Sequence, residues 1–576
     1  MGPRGFGELN RRQLVGGGLS AVALGLLRRH GLAFPPSAQA GDSGAVPLHL
    51  SHPIARVPNE PDSLVIDGLP FARWFTGDSF GNPMIPFHGG PAGCTDPPPA
   101  PREEVDVAVV GGGLSGLAAA YMLREYEPVV FDLRSRFGGA AQGEVWNGTQ
   151  YSLGSAYVIT PDAGTFLDDF YRELRLDQVV RVDGDDANVE LGGKILESIF
   201  DVPLQDPELA EAFRRYRQVV EIYAGESYPD IPPPALGDGR LNELDRRTLK
   251  EDIERAMGMR VPQPLAGYIQ AYCYSSFAAG WEEISAASGW NFLAAEEFGR
   301  WVFPGGNAYI ARQLFEALAR MEGNLPGGSS PKHLRGGCAV IDVRLVAGDR
   351  VQVTYVDARG NCHSLLAKRV VMACPKLTAK HIIHDLPALD ERKSAAMFAL
   401  EYRAYAVVNV LLDAPVDLDF YDIYLHMGPG YPSGEAEVEE LSRVTDLLNG
   451  HFARKKDLGR SVFTLYWPLP FDSGRWTLLH EDGFFNYARS LAPQIRRMLE
   501  LHRLPESAVK QVRMTRWGHP IPIARPGLIA DGVTESLRRP LADRIYFINQ
   551  DNWALPAVEN CLLDAEFYVS QLKVGL

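Results

Sequence analysis

The stretch DVAVVGGGLSGLAAAYMLREYEPVVFD, residues 106–132, decides the fold. VDVAVV (105–110) is short, apolar and rich in β-branched residues, which is typical of a strand buried on both faces. Gly111, Gly113 and Gly116 then give the spacing Gly-x-Gly-x-x-Gly, and a run rich in small residues follows with helical periodicity. A second apolar run ends in an acid. The pattern therefore predicts a strand, a glycine turn, a helix and a second strand.

Each glycine has a physical role in such a unit. The first allows a tight turn, the second lets the backbone approach a pyrophosphate, and the third lets the helix pack closely on the strand. The helix directs its positive N-terminal end at the phosphates. Asp132, at the end of the second strand, is placed to accept both ribose hydroxyls and to repel a 2′-phosphate. The sequence predicts a dinucleotide site formed by Gly111, Gly113, Gly116 and Asp132. The competing interpretation, a glycine-rich turn in another α/β protein, has no feature that specifically supports it.

Shortly after that acid, RFGGAAQ (136–142) continues the motif, and here the chain resembles the FAD-dependent amine oxidase superfamily, which includes phytoene-desaturase-like enzymes. The resemblance implies that Arg134 lies near the adenosine and that Gly138 and Gly139 lie under the FAD pyrophosphate. An arginine commonly follows the two glycines in this family. Ala140 stands there instead, which removes one expected phosphate contact.

Later stretches extend the resemblance to nearly the whole chain beyond residue 102. YSLGSAY (151–157) places Gly154 beside the flavin, and VFPGGNAYIARQLFEAL (302–318) resembles the return into the FAD domain. CAVIDV (338–343) then places Val340 against the adenine.

The C-terminal stretch DRIYFINQDNWALPAVENCLLDAEF (543–567) resembles the last FAD motif of the family. By this resemblance Asp551 meets ribityl or phosphate oxygens, and the start of a helix at Val558 faces the isoalloxazine. The motif departs from the family at Gln550, where a glycine is usual.

These patterns predict an α/β protein with a Rossmann-type FAD-binding domain built from non-contiguous segments and an inserted α+β substrate domain. The FAD-binding segments are 103–160, 300–377 and 516–576, and the substrate segments are 161–299 and 378–515. Residues 41–102, rich in Pro and Gly, are interpreted as an arm over the core. Helical periodicity marks 205–225, 242–257, 307–322 and 483–503, and alternating apolar residues mark strands between 344 and 374.

The resemblance implies that hydride passes from a substrate C–H, next to an amine nitrogen, to flavin N5. The segment MTRWGHPIPIARPG (514–527) then makes Trp517 a candidate to flank the flavin, the alternative being a core tryptophan. His519 is a weaker candidate for substrate contact. Many family members carry a lysine that holds a water at N5, but the matching strand YAVVNVLLDAP (405–415) has no lysine, and Asn409 is the polar side chain within its apolar run AVVNVLL. Trp517 and Asn409 are the predicted catalytic residues.

A second departure concerns the substrate. Ala557 stands where an aromatic side chain would cage an amine, and this weakens a simple monoamine or polyamine oxidase assignment. The alternative keeps the fold and changes the reaction to desaturation, isomerisation or oxidation of a lipid-like or other non-amine substrate. A third possibility is a flavoprotein without turnover. Acidic residues in the cavity would favour an amine substrate. A wholly apolar tunnel would favour a lipid-like substrate, and a blocked cavity would favour a flavoprotein without turnover.

Within the family, FPGGNAYIAR (303–312), VVNVLL (407–412) and TRWGHP (515–520) resemble the bacterial spermidine dehydrogenase branch. That implies a polyamine or another amine as the small-molecule substrate and an electron acceptor other than oxygen. Some of that branch binds haem, but His88 is isolated, so haem is not expected. No Cys or convincing His lies where covalent attachment is found, so FAD is expected to be non-covalent.

The N-terminus predicts export. Arg11 and Arg12 precede an apolar run of about 21 Å as a helix, shorter than the ~30 Å of bilayer hydrocarbon, and Ala38-Gln39-Ala40 gives a cleavage pattern. Residues 1–40 are interpreted as a twin-arginine-type signal peptide, leaving a periplasmic protein without a stable membrane anchor. A plain Sec signal or an uncleaved anchor are the alternatives.

Composition excludes other classes. The formal net charge of −15 argues against nucleic acid as a partner. The six cysteines show neither CxxC nor metal-ligand spacing, so no metal site is predicted. Buried thiols are expected, with a disulfide as the alternative.

Overall fold

The computed structural model describes residues 48–78, 97–184, 187–233, 239–323, 331–416, 418, 420–426, 443–480 and 482–576. The predicted signal peptide and His88 lie outside these residues.

The strands of the described residues, numbered along the chain, are β1 Ile54–Val57, β2 Leu64–Ile66, β3 Leu69–Phe71, β4 Thr76–Gly77, β5 Glu104–Val110, β6 Val129–Asp132, β7 Gly143–Trp146, β8 Thr149–Ser152, β9 Tyr157–Ile159, β10 Arg181–Asp183, β11 Asn188–Leu191, β12 Lys194–Leu196, β13 Arg300–Val302, β14 Leu334–Gly336, β15 Ala339–Val346, β16 Arg350–Val356, β17 Cys362–Met372, β18 Tyr402–Leu412, β19 Asp422–His426, β20 Asp446–Asn449, β21 Ser461–Leu469, β22 Val509–Pro522 and β23 Ile545–Phe547.

The α-helices, numbered in the same way, are α1 Leu48–Ser51, α2 Leu114–Met122, α3 Phe166–Glu173, α4 Pro207–Ala224, α5 Gly239–Asp245, α6 Leu249–Met257, α7 Leu265–Phe277, α8 Ala286–Leu293, α9 Ala308–Ala319, α10 Lys376–Ile382, α11 Leu386–Leu389, α12 Glu391–Ala399, α13 Gly474–Leu479, α14 Gly483–Leu501, α15 Val533–Arg538 and α16 Val558–Val574. No helix in the described part of the chain is both long enough and apolar enough to span a membrane.

A seven-stranded sheet forms the predicted nucleotide-binding half. Its order is β14-β6-β5-β17-β16-β15, with β23 beside β17. The pairs β14–β6, β6–β5, β5–β17 and β17–β23 are parallel, as expected for strands that are buried on both faces. Helices α2, α9 and α16 contribute to a core that also contains residues of β5, β6 and β17. The strands come from three distant parts of the chain, so the α/β fold class with a non-contiguous Rossmann-type domain is confirmed.

A ten-stranded sheet forms the second half, in the order β12-β11-β19-β20-β21-β18-β22-β3-β2, with β4 beside β22. Its central strands β18, β21 and β22 pair antiparallel and are almost wholly buried. Helix α14 packs against this sheet, and helices α4 to α8 form a separate apolar cluster.

The structure differs from the predicted segments in three places. Residues 54–77, interpreted as an arm, contain four short strands, of which β1 pairs with β7 and the others join the ten-stranded sheet. Strand β22 runs across the predicted boundary between 515 and 516, so Trp517 belongs to the ten-stranded sheet. The helix predicted over 242–257 is two helices, because Thr248 and Glu251 form a capping box that starts α6.

The cysteines are of two kinds. Cys273 and Cys561 are buried free thiols, as predicted, and Cys338 and Cys374 are free and half-buried. Cys362 is disulfide-bonded, which corrects the expectation of buried thiols at that position.

Lys393 in α12 is a fully buried amine. Its side chain is 0% exposed, and Nζ donates to the carbonyl oxygens of Ser536 (2.7 Å) and Leu537 (2.9 Å). Burial is the main cause that lowers the pKa of Lys393 from 10.5 to about 6. Because the unfolded chain then holds more protons than the folded one between these two values, unfolding takes up a proton and stability rises with pH across this window.

We therefore expect Lys393→Met to change the pH dependence of stability. Methionine cannot bind a proton, so the melting temperature of the variant relative to wild type should fall as pH rises from 7 to 9. The two unsatisfied carbonyls add an offset that does not depend on pH. Thermal unfolding followed by circular dichroism at both pH values checks this. An equal difference in melting temperature between the variant and wild type at both pH values would contradict the lowered pKa of Lys393.

Candidate active site

A cavity of about 720 Å³ lies where the carboxyl ends of β5, β6 and β17 face the ten-stranded sheet. This is where ligands bind in open α/β sheets. Nine predicted site residues line it: Gly111, Gly113, Asp132, Arg134, Gly139, Gly154, Val340, Trp517 and Val558. The other four, Gly116, Gly138, Asn409 and Asp551, lie outside the lining.

The glycine turn is built as the spacing predicts. Gly111 has φ +113°, and a Cβ there would lie 2.8 Å from the carbonyl of Ala373. A Cβ at Gly116 would lie 1.8 Å from the carbonyl oxygen of Gly111, so only glycine lets α2 start this close to the turn. Gly113 is the N-cap of α2, and no side chain caps the helix. The free amides at this helix start can therefore bind an anion in the cavity.

Asp132 is held by the backbone at the end of β6. Its Oδ2 accepts from the amide of Gly112 (2.9 Å) and its Oδ1 from the amide of Arg134 (2.8 Å). Burial raises the pKa of Asp132, and the nearby Arg134 opposes this. The carboxylate is thus fixed at the cavity wall, where a ribose would present its hydroxyls.

Trp517 and Gly154 lie together at the middle of the cavity. The indole Nε1 of Trp517 donates to the carbonyl oxygen of Leu153 (2.8 Å), and the guanidinium of Arg134 lies 5.3 Å from the ring centroid. A Cβ at Gly154 would lie 2.1 Å from the carbonyl oxygen of Ala140. Trp517 is therefore a buried, hydrogen-bonded side chain in the cavity lining, and its position beside the flavin stays a prediction.

Asn409 is placed differently from the prediction. Its Nδ2 donates to the carbonyl oxygen of Ser152 (3.1 Å) and its Oδ1 accepts from Thr464 (2.8 Å). The side chain is fully buried, and both ends of the amide are occupied in joining β18 to β8 and β21. The geometry assigns Asn409 a structural position, so we do not retain it as a catalytic candidate.

Asp551 is not among the lining residues, and its Oδ1 is buried without a hydrogen-bond partner. Its Oδ2 accepts from the amide of Lys376 (2.7 Å) and from the hydroxyl of Tyr402 (2.5 Å). The carboxylate therefore anchors the start of α10, while the preceding Asn549 and Gln550 line the cavity. Because only Oδ2 is engaged, the predicted contact of Asp551 with ribityl or phosphate oxygens stays a prediction.

The ten-stranded sheet presents a row of side chains that the sequence analysis missed. Tyr424 in β19 pairs with Asp446 in β20, which pairs with Tyr466 in β21, which pairs with Val407 in β18. Directly paired residues project from the same face of a sheet, and all four line the cavity. Tyr405, two residues before Val407, lines it as well.

Asp446 is the polar centre of this row. Its Oδ2 accepts from the hydroxyl of Ser275 (3.2 Å), whereas its Oδ1 is buried without a hydrogen-bond partner. The hydroxyl of Tyr466 donates to the carbonyl oxygen of Gly154 (2.7 Å) and so holds the row against the glycine-containing loop. Burial and the neighbouring Asp422 raise the pKa of Asp446 well above its usual range.

A buried ion cluster lies behind this wall. Arg300, with a side chain 3% exposed, contacts Asp422 (2.7 Å), Asp183 and Glu296 (3.2 Å). Glu296 lines the cavity and accepts from the hydroxyls of Tyr157 and Tyr272, each at 3.0 Å. The single guanidinium of Arg300 is therefore surrounded by the carboxyl groups of Asp183, Glu296 and Asp422 beside the cavity.

His519 and Ala557, two further residues named in the sequence analysis, both line the cavity. His519 lines the cavity with a buried Nδ1 that has no partner, and burial lowers its pKa to about 4, so it is neutral. Ala557 is the N-cap of α16 and lines the cavity. Tyr272, Trp281 and Trp290 of the helical cluster are core residues outside the lining.

The chain matches the family model described as flavin-containing amine oxidoreductase over residues 114–522. The oxidoreductase PigB from Serratia sp. (strain ATCC 39006) is 21% identical over 538 residues, covering 82% of this chain and 76% of PigB.

Two solved structures illustrate the range of the fold. Putrescine oxidase bound to putrescine has a TM-score of 0.59 at 15% identity, covering 82% of this chain and 99% of that one. A fatty acid isomerase from P. acnes has a TM-score of 0.53 at 15% identity, covering 81% and 98%. These likenesses concern the fold. The family match spans most of the chain and includes the row of side chains on the ten-stranded sheet. The chain therefore belongs to the flavin-containing amine oxidoreductase family, whose members are flavin-dependent oxidoreductases.

Proposed function

We propose that this protein binds FAD non-covalently and oxidises a small-molecule amine. The observation that carries the amine is Asp446, a buried carboxylate at the cavity wall whose Oδ1 has no hydrogen-bond partner. An ammonium group placed there would supply the missing donor and the missing positive charge.

The fit to FAD rests on the first half of the cavity. The uncapped start of α2 suits a pyrophosphate, and Asp132 suits a ribose. Gly111 and Gly154 line the cavity at positions where a Cβ would clash with the backbone of Ala373 and Ala140, so only glycine fits there. When bound, FAD accepts two electrons with a hydride, and the residues of this chain bind, orient and shield the substrate.

Three free thiols at the cavity favour a non-covalent cofactor. Burial raises the pKa of Cys338 to about 11 and those of Cys374 and Cys561 to about 12. The thiolate is the reactive form of cysteine, so these side chains remain inert thiols at neutral pH.

The raised pKa of Asp446 also suits the chemistry of an amine. An amine must lose a proton before the carbon beside its nitrogen gives up a hydride. A bound ammonium favours the ionised form of Asp446, and Oδ1 then accepts the proton that the amine loses, because burial favours the neutral acid once the positive charge is gone. Tyr405, Tyr424 and Tyr466 surround this position and exclude water.

The test is the absorbance spectrum of the purified protein under anaerobic conditions. Adding spermidine and a panel of simpler amines should bleach the visible flavin band, and admitting air then distinguishes oxygen from another electron acceptor. A band that persists with every amine but is bleached by unsaturated fatty acids or another lipid-like compound would overturn the amine proposal. It would favour the alternative of a desaturase, isomerase or oxidase acting on a non-amine substrate.

We further propose that the chain is exported by the twin-arginine route and lies near the spermidine dehydrogenase branch, with an acceptor other than oxygen. The paired arginines and the small-x-small pattern in the first 40 residues support export. Fusing residues 1–40 to a reporter that is active only in the periplasm, in cells with and without the twin-arginine translocase, tests the route. Equal export in both strains would contradict it.

A further inference from the structure

The cavity has an uneven distribution of charge. Among its described lining residues, seven carry a carboxylate and two carry a permanent cation, Arg134 and Arg475. The carboxylates are Asp78, Asp132, Asp162, Asp230, Glu296, Asp446 and Glu559. FAD carries two negative charges on its pyrophosphate, so each cation at the wall matters for binding it.

The two arginines differ in what they already contact. Arg134 donates to Asp78 Oδ1 at 3.2 Å, so its charge is partly neutralised. Arg475, near the start of α13, makes no ion pair with another described residue, and its Nε is buried without a hydrogen-bond partner. Burial lowers the pKa of Arg475, opposed by Asp78. A guanidinium in this position is costly unless a ligand supplies an acceptor.

The glycine loop lacks a side-chain cation of its own. Ala140 lines the cavity directly after Gly139 and supplies no positive charge to it. The start of α2 provides amides and a partial positive charge only. A full charge for the pyrophosphate must therefore come from elsewhere along the wall.

We propose that Arg475, from the substrate half of the protein, binds the pyrophosphate of FAD. The inference rests on the proposed cofactor. The pyrophosphate is then held between the start of α2 on one side and α13 on the other, so the cofactor joins the two halves of the fold. Arg475 is a positioning residue for the cofactor, and its loss should affect retention of FAD more than the affinity for substrate.

The test measures the rate at which FAD leaves the diluted holoenzyme, at low and at high salt. The rise of flavin fluorescence reports the released cofactor. Arg475→Met should release FAD about tenfold faster or more, since a charge-assisted hydrogen bond is lost, and Arg475→Lys should lie between. Salt should speed release from wild type more than from Arg475→Met. Arg489→Met, an exposed arginine on α14, is the matched control and should behave as wild type.

Two results would overturn the inference. One is release from Arg475→Met within about twofold of wild type, well below what a lost charge-assisted contact predicts. The other is unchanged release with a shifted flavin midpoint potential, which would place Arg475 against the flavin ring. A cofactor that denatured wild type retains, or that chromatography identifies as FMN, would instead refute the proposed FAD itself, and this inference with it.

Discussion

Replacing Gly116 with alanine is expected to give a protein that is purified largely without flavin and that melts at a lower temperature. The new Cβ would lie 1.8 Å from the carbonyl oxygen of Gly111 and 3.2 Å from Cβ of Ala373. A backbone oxygen cannot rotate aside, so α2 must move off the glycine turn. Overpacking of this kind costs about 1–3 kcal/mol, and sometimes more. The same movement displaces the amides that face the cavity.

The ratio of visible flavin absorbance to protein absorbance and the melting temperature measure the two effects. Gly239→Ala is the matched control, because a Cβ there meets nothing within 4 Å and the residue starts a helix. A Gly116→Ala protein with full flavin content and the wild-type melting temperature would contradict the proposed role of this close contact.

The second large effect is expected for Asp446→Asn. Asparagine keeps the size and the bond to Ser275 but removes the negative charge and the proton acceptor at the cavity wall. We expect the second-order rate of flavin reduction by an amine to fall by about 100-fold or more, equivalent to about 2.7 kcal/mol of lost transition-state stabilisation. Because the pKa of Asp446 is raised in the free protein, the variant should also lose one limb of the pH profile.

Stopped-flow reduction under anaerobic conditions measures this rate across pH. Glu500→Gln, an exposed acid on α14, is the matched control for removing a carboxylate and should be unchanged. Reduction of Asp446→Asn within about threefold of wild type would show that this carboxylate does not bind the amine.

The nucleotide half could be predicted from the sequence because its determinants are local. Gly111, Gly113, Gly116 and Asp132 lie within 22 residues, and each is required by the geometry of one strand–turn–helix–strand unit. Side-chain direction was harder to predict. Asp551 lies at the expected end of the chain, but the sequence does not show that its Oδ2 accepts a hydrogen bond from the amide of Lys376.

The row of side chains on the ten-stranded sheet could not be predicted because it depends on register between distant strands. Tyr424, Asp446, Tyr466 and Val407 are separated along the chain and become a row only when β19, β20, β21 and β18 pair. The sequence placed Asn409 in the correct strand, but it could not show that β8 covers that position. A period-2 pattern identifies a strand and says nothing of what packs over it.

The pairing of the first strands with the last ones has a consequence for how the chain folds. Thr76 in β4 contacts Thr515 in β22, 439 residues later. Closing so long a loop makes the sheet a late event, since non-local contacts slow folding. A nascent chain cannot complete this sheet until β22 has left the ribosome. Strands β3 and β4 therefore lack their partner β22 through most of synthesis, which exposes them to chaperones and proteases during that interval.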